Sequence, residues 1–135
     1  MAANYEVGAV VATRKVQIDR GSLVRYAGAS GDFNPIHYRD DIAKQVGLPG
    51  VLAHGMLTMG IAIQPLLEEL GNGGRVVDYG VKFTRPVIVD PENGAEIEIS
   101  ATVGEVTGSE VRFDLTVTFA GETVLGKAQA RVVFD

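Results

Sequence analysis

Glu110-Val111-Arg112-Phe113-Asp114-Leu115-Thr116-Val117-Thr118-Phe119 alternates polar and apolar side chains along its whole length. A period of two with one wet face is the mark of a strand in an antiparallel sheet. The pattern continues outward in both directions. Ile97, Ile99, Ala101 and Val103 oppose Glu96, Glu98, Ser100 and Thr102, and before them Val77, Tyr79, Val81 and Phe83 are expected on one strand face. Downstream, Ala120-Gly121-Glu122 turns tightly into a last strand, Thr123 to Phe134, whose small Gly126, Ala128 and Ala130 let something pack closely.

The first half reads differently. Val10 to Ile18 is rich in β-branched residues and predicts a first strand. Asp19 and Ser22 are candidate caps for a helix carrying Leu23, Val24, Tyr26 and Ala27, which is expected to break up in Gly28-Ala29-Ser30-Gly31. Asp40 or Asp41 is expected to cap a short helix closed by Gly47, with Pro49-Gly50 as a turn. A longer apolar helix starts near His54-Gly55 and runs to about Leu70, with Pro65 kinking it or starting a new turn. One long apolar helix followed by four strands predicts an α+β arrangement in which the sheet curls round the helix.

The bulk numbers set limits. With 135 residues, 46% hydrophobic and 21% charged, the chain fits one soluble domain over residues 1–135, long enough to bury about two-thirds of its unfolded surface. There is no cysteine, which excludes disulfides, thiolate metal sites and a cysteine nucleophile, and suits a reducing cytosol. Met1 to Glu6 lacks the basic-then-apolar pattern of a secretory signal, and no apolar run nears the ~18 residues of a membrane span. A formal charge of −5 argues against nucleic acid as a partner. An acidic carrier protein or coenzyme A would have to meet a local cluster of Lys and Arg.

Two stretches carry chemistry. In Ser30-Gly31-Asp32-Phe33-Asn34-Pro35-Ile36-His37, Pro35 fixes its own φ and pushes Asn34 away from helix, while Gly31 permits an unusual backbone before the acid. A segment this stiff can aim Asp32 and His37 at one spot, and a carboxylate and an imidazole sharing a water form a general acid–base pair near neutral pH. The same letters also spell an ordinary turn with a surface histidine. In Ala53-His54-Gly55-Met56-Leu57-Thr58, Gly55 at a helix start offers a free N–H aligned with the helix dipole, suited to a developing oxyanion. A glycine there can equally be steric only. His54 is the other candidate base, but it reads as structural, hydrogen-bonding in the turn before the helix. Two histidines so placed, without clustered carboxylates, do not supply three ligands, so no metal is expected. Ser22 and Ser30 lack a nucleophile elbow, and Gly71-Asn72-Gly73-Gly74 leads into a strand rather than a helix, so it is a loop and not a phosphate cradle.

Taken together, Tyr26-Ala27-Gly28-Ala29-Ser30-Gly31-Asp32-Phe33-Asn34-Pro35-Ile36-His37 and Ala53-His54-Gly55-Met56-Leu57 resemble the MaoC-like (R)-specific enoyl-CoA hydratases, the hydratase-2 group. Phe83-Thr84-Arg85-Pro86-Val87 resembles the stretch that follows the central helix in that family, so motifs cover about Asp19 to Val89. Within the group, the chain is similar to catalytic subunits of actinobacterial 3-hydroxyacyl-carrier-protein dehydratases, which pair with a related chain lacking the acid–histidine pair. The resemblance implies a hotdog fold, a long helix wrapped by a five-stranded antiparallel sheet, and a homodimer or heterodimer of such chains. It implies Asp32 and His37 as the catalytic pair, Asn34 as a holder of the loop's polar network, and Gly55 as the amide donor to the thioester oxygen. The implied substrate is an acyl-CoA or acyl carrier protein thioester, with no cofactor beyond that carrier. Leu57 and Met59, with Ile61, Ile63 and Leu66, line an acyl tunnel or simply fill the core. Arg85, Lys82 and Arg75 meet carrier phosphates or are plain strand-end charges. The rival functions are a non-catalytic acyl-binding partner subunit and a hotdog thioesterase. The latter needs an acid on the central helix, and none lies between Gly55 and Gln64.

Overall fold

The computed structural model describes residues 2–135, with the side chain of Ala3 left out of the account. After a 3-10 turn at Ala2–Asn4 come β1 (Val10–Ile18), α1 (Arg20–Ser30), a 3-10 turn at Pro35–His37, α2 (Asp40–Gln45), α3 (Gly55–Leu70), β2 (Arg75–Phe83), β3 (Ala95–Thr107), β4 (Glu110–Phe119) and β5 (Glu122–Val133). The strands form one five-stranded antiparallel sheet in the order β1-β3-β4-β5-β2.

The alternation seen in the sequence is the inner face of that sheet. Ile97, Ile99, Ala101 and Val103 on β3, Val111, Phe113, Leu115 and Val117 on β4, and Ala128, Ala130 and Val132 on β5 are buried. Helix α3 lies against this face, contacting β1, β3 and β4 and burying Ala62, Ile63, Leu66 and Leu70. Small residues on β5 leave room for the curl. The Phe119–Glu122 pair closes over a two-residue turn, Ala120-Gly121, with both φ positive (52° and 78°), the twist that suits a tight hairpin.

Four local expectations change. Helix α1 ends within Gly28-Ala29-Ser30-Gly31 as expected, but the stretch is not irregular: it stays helical to Ser30, and Gly31 alone makes the turn, in the left-handed region at φ 79°. Helix α2 is not capped by an aspartate side chain: Arg39 stands at its N-cap, because the Asp40 carboxylate is taken by Arg20. Helix α3 runs through the buried Pro65 as one element, so of the kink and the new turn expected there the new turn does not occur; the proline ring is buried although it contributes no N–H to the ladder. Finally, β2 does not keep Val77, Tyr79, Val81 and Phe83 on one face. Register shifts after Val76 and after Gly80 change the phase, leaving Val76, Tyr79 and Val81 half-buried while Val77 and Phe83 are exposed. Tyr79 still anchors the strand, its hydroxyl donating to the Met59 carbonyl of α3 at 2.6 Å, and burial pushes that phenol up to about 12, so it remains a donor.

Candidate active site

The loop after α1 is built by its own polar side chains. Gly31 closes the helix by donating to the Ala27 carbonyl at 2.9 Å. The Asp32 N–H donates to Ser30 Oγ at 3.1 Å, the Asn34 N–H to Asp32 Oδ1 at 3.2 Å, and the Ile36 N–H to Asn34 Oδ1 at 3.2 Å. The His37 N–H then donates to the Asn34 carbonyl at 3.1 Å. Asn34 thus works at both ends of the segment between the acid and the histidine. It is exposed and lies outside the cleft lining.

His37 is aimed from outside the loop. Its Nδ1 lies 2.7 Å from the Leu52 carbonyl. A carbonyl accepts only, so Nδ1 carries the hydrogen and Nε2 keeps a free lone pair. Leu52 is itself fixed, paired with Ile88 as an isolated bridge and flanked by hydrogen bonds from Ala53 to Val87 and from Val89 to Val51, each 2.9 Å. Arg20 fastens this region to the helices: its Nε donates to the Val89 carbonyl at 2.6 Å and its fork grips Asp40 at 3.0 and 3.2 Å. Asp40 also accepts the Val51 N–H at 3.3 Å. One guanidinium therefore joins the starts of α1 and α2 to the pair of segments that carries Leu52.

His54, which the sequence offers as the other candidate base and as a structural residue, belongs to this cluster. It makes no capping bond in the turn before α3; instead it is buried to 1% exposure, and its Nε2 lies 3.2 Å from the Asp32 carbonyl. Its ring stacks on His37, centroids 3.8 Å apart and planes 21° from parallel, with Tyr26 edge-on at 4.7 Å. Nε2 must carry the hydrogen to bond a carbonyl, which leaves Nδ1 bare, and Nδ1 is buried with no partner. The other tautomer would bury an unpaired N–H, a cost of about 1–3 kcal/mol, and set two lone pairs against each other.

Ligand atoms of Asp32, His37 and His54 lie within 4.8 Å of one another, closer than the sequence reading allowed for two histidines and an acid. A metal fits the trio poorly. Imidazole lone pairs lie in the ring plane, and planes 3.8 Å apart tilted by 21° meet far beyond the ~2 Å of an imidazole–metal bond. A water fits better, since two hydrogen bonds of ~2.8 Å bridge a gap of this size between a carboxylate and an imidazole nitrogen. Burial pushes the His37 imidazolium below its ordinary value and the His54 ring adds to this, while the Leu52 carbonyl and Asp32 pull the other way. His37 is therefore neutral and basic at pH 7.

These groups open onto a cleft of about 690 Å³. Gly55 lines it as the first residue of α3, where no intrahelical acceptor exists for its N–H. A Cβ at Gly55 would stand 2.8 Å from the Phe83 ring, so only glycine leaves this approach open. The apolar wall comes from Tyr26, Leu48, Leu52, Val87 and Leu125. From α3 it takes Met56 and Thr58, not the expected Leu57 and Met59: Leu57 packs on the core, and the Met59 carbonyl holds Tyr79. Arg85 reaches the cleft, 3.4 Å from Glu122, whereas Lys82 and Arg75 do not line it.

Residues 3–121 match the family model described as MaoC like domain. The chain is 32% identical over 117 residues to an (R)-specific enoyl-CoA hydratase of Rhodospirillum rubrum, covering 85% of this chain and 80% of that protein. It is 34% identical over 79 residues to 3-hydroxyacyl-thioester dehydratase X of Mycobacterium tuberculosis, covering 58% of this chain, but it spans only 27% of that relative's length. Among solved structures, a MaoC-like dehydratase superposes with a TM-score of 0.92 at 34% identity, covering 99% of this chain and 42% of the other.

Proposed function

The chain belongs to the MaoC-like domain family, and from that membership we propose that it adds water to trans-2-enoyl thioesters, giving (R)-3-hydroxyacyl thioesters, and runs the reverse dehydration. The observation that supports this reading is that Asp32 and His37 bring a carboxylate oxygen and a ring nitrogen within 4.8 Å of each other, on a cleft that also holds the first N–H of α3.

In hydration, a water held by Asp32 and His37 gives its oxygen to C3 while the pair takes its proton. The C2–C3 π electrons move onto the thioester oxygen, where the Gly55 N–H and the positive end of α3 stabilise the enolate-like charge. The pair then returns a proton to C2 from the same side, so one water is added overall. The two ionisations are coupled, and a pH profile describes the pair. The chemistry calls for no electron carrier or metal; coenzyme A or a phosphopantetheine arm arrives with the substrate. Thioester hydrolysis is disfavoured because the acids on α3, Glu68 and Glu69, sit in its last turn, where Glu68 pairs with Arg14.

The same reading includes a second hotdog chain, identical or related, along the β2 edge. Its support is the exposure of two large apolar side chains there, Val77 at 49% and Phe83 at 56%. Incubation with crotonyl-CoA tests the activity: loss of enone absorbance without free thiol is the expected result. Thiol release would make the protein a thioesterase, and neither signal, with longer enoyl-CoAs also inert, would make it a binding subunit. Gel filtration of the same sample reports whether the chain pairs with itself.

A further inference from the structure

We propose that His54 is the positioning residue of the acid–base pair, its imidazole tying the Asp32 main chain to the ring of His37 and so setting the gap across which the two share a water. The proposal rests on the hydration reading and extends it to a residue outside the reacting groups.

Three observations converge on this one side chain. Its Nε2–H reaches the Asp32 carbonyl at 3.2 Å, a link across 22 residues that fixes the acid's backbone from the far side of the cleft wall. Its ring backs His37 at 3.8 Å, so the His37 ring cannot tilt away from the plane that the Leu52 carbonyl gives it without losing that stack. Its own position is held by burial, by the edge of Tyr26 and by direct linkage to Gly55, the first residue of α3. Acid, imidazole and amide donor therefore share one neighbour. The groups facing His37 are Asp32 from the loop, His54 from the start of α3 and Tyr26 behind it from α1, with Arg85 elsewhere on the cleft lining.

Other roles for His54 fail on geometry. It is no second base, because Nε2 is committed as a donor and Nδ1 is buried away from water. It is no metal ligand alongside His37, because the near-parallel rings do not converge on one point.

The test compares wild type, His54→Phe and His54→Gln with crotonyl-CoA. Phenylalanine keeps the ring and its burial but loses the N–H; glutamine places an N–H where Nε2 stood. For His54→Phe, kcat falls roughly tenfold to a hundredfold, as a small misplacement of reacting groups does, while KM stays within about twofold. His54→Gln recovers much of the loss. A folded His54→Phe with wild-type kcat, or a Gln variant no better than Phe, overturns the proposal. Imidazole nitrogen NMR on the wild-type protein decides the matter if both variants unfold. The expected spectrum has the His54 hydrogen on Nε2, donated to the Asp32 carbonyl, and the His37 hydrogen on Nδ1. A His54 whose Nε2 carries no hydrogen overturns the proposal. Wild type inert toward all enoyl-CoAs removes the hydration reading instead, and the NMR result still reports whether His54 holds Asp32.

Discussion

His37 and His54 lie ring on ring, 3.8 Å between centroids, in a pocket where neither exceeds 7% exposure. Burial pushes His37 below its ordinary 6.5, and the neighbouring His54 ring adds to this. The acid limb of kcat/KM is therefore expected below pH 6.5, measured with crotonyl-CoA across the acidic range. Stability follows with a definite sign. The unfolded chain protonates His37 near 6.5, whereas the folded one does so only at lower pH, so protons favour the unfolded state in between. This contribution is complete above 6.5 and is lost as pH falls toward the lowered folded value. Denaturation midpoints that rise on acidification from neutral to about pH 5 would contradict it.

Asp32→Asn is expected to cut turnover by roughly 10²- to 10⁴-fold, the span of general acid–base catalysis. The fold should not suffer, because an asparagine oxygen can still accept the Asn34 N–H that Asp32 Oδ1 accepts now. Circular dichroism and thermal midpoints check the second half of the statement. An active, folded variant would end the assignment.

At Gly55, a methyl group would strike the Phe83 ring at 2.8 Å, and Phe83 is 56% exposed and free to swing aside. Gly55→Ala should thus fold, yet lose roughly 10- to 10³-fold in kcat as the amide is screened from the thioester oxygen. The double variant Gly55→Ala with Phe83→Ala separates the causes. If it regains full activity, the clash with Phe83 was the whole effect, and the methyl itself does not screen the amide.

The hotdog arrangement was legible because its signals are periodic: the β3 and β4 alternation and the span of α3 came through with the right faces. The register of β2 was not, since bulges at Val77 and Val81 come from pairing with β5 and leave no mark in a two-residue period. At the site, Asp32 and His37 sit five residues apart in a loop stiffened by Pro35, so local letters bring them together. His54 joins them across 22 and 17 residues, a closeness that only the folded chain creates. Its one local sign was its place beside Gly55. For Leu57 and Met59 the tunnel and the core both stay open in the sequence, because apolarity alone gives a helix no direction; Met56 and Thr58 line the cleft instead.

That correction carries its own test. Leu48→Ala enlarges the cleft wall and should shift the preference between octenoyl-CoA and crotonyl-CoA toward the longer chain by roughly tenfold. Met59→Ala, outside the lining, should leave the ratio unchanged. The reverse pattern in kcat/KM would restore the tunnel expected from the sequence.

Chelators should have no effect. The parallel rings of His37 and His54 offer an ion no common point, so activity measured after dialysis against EDTA should equal that of untreated protein. Inactivation reversed by added zinc would show that the rings turn to bind it.

The two interruptions in β2 have a consequence for the company this protein keeps. An outermost strand with an unbroken row of amides and carbonyls invites any stray extended peptide, but this one is out of step after Val76 and again after Gly80. Bulges of this kind blunt an edge against indiscriminate strand addition, so the second chain proposed for this edge would have to match an interrupted strand rather than a regular one.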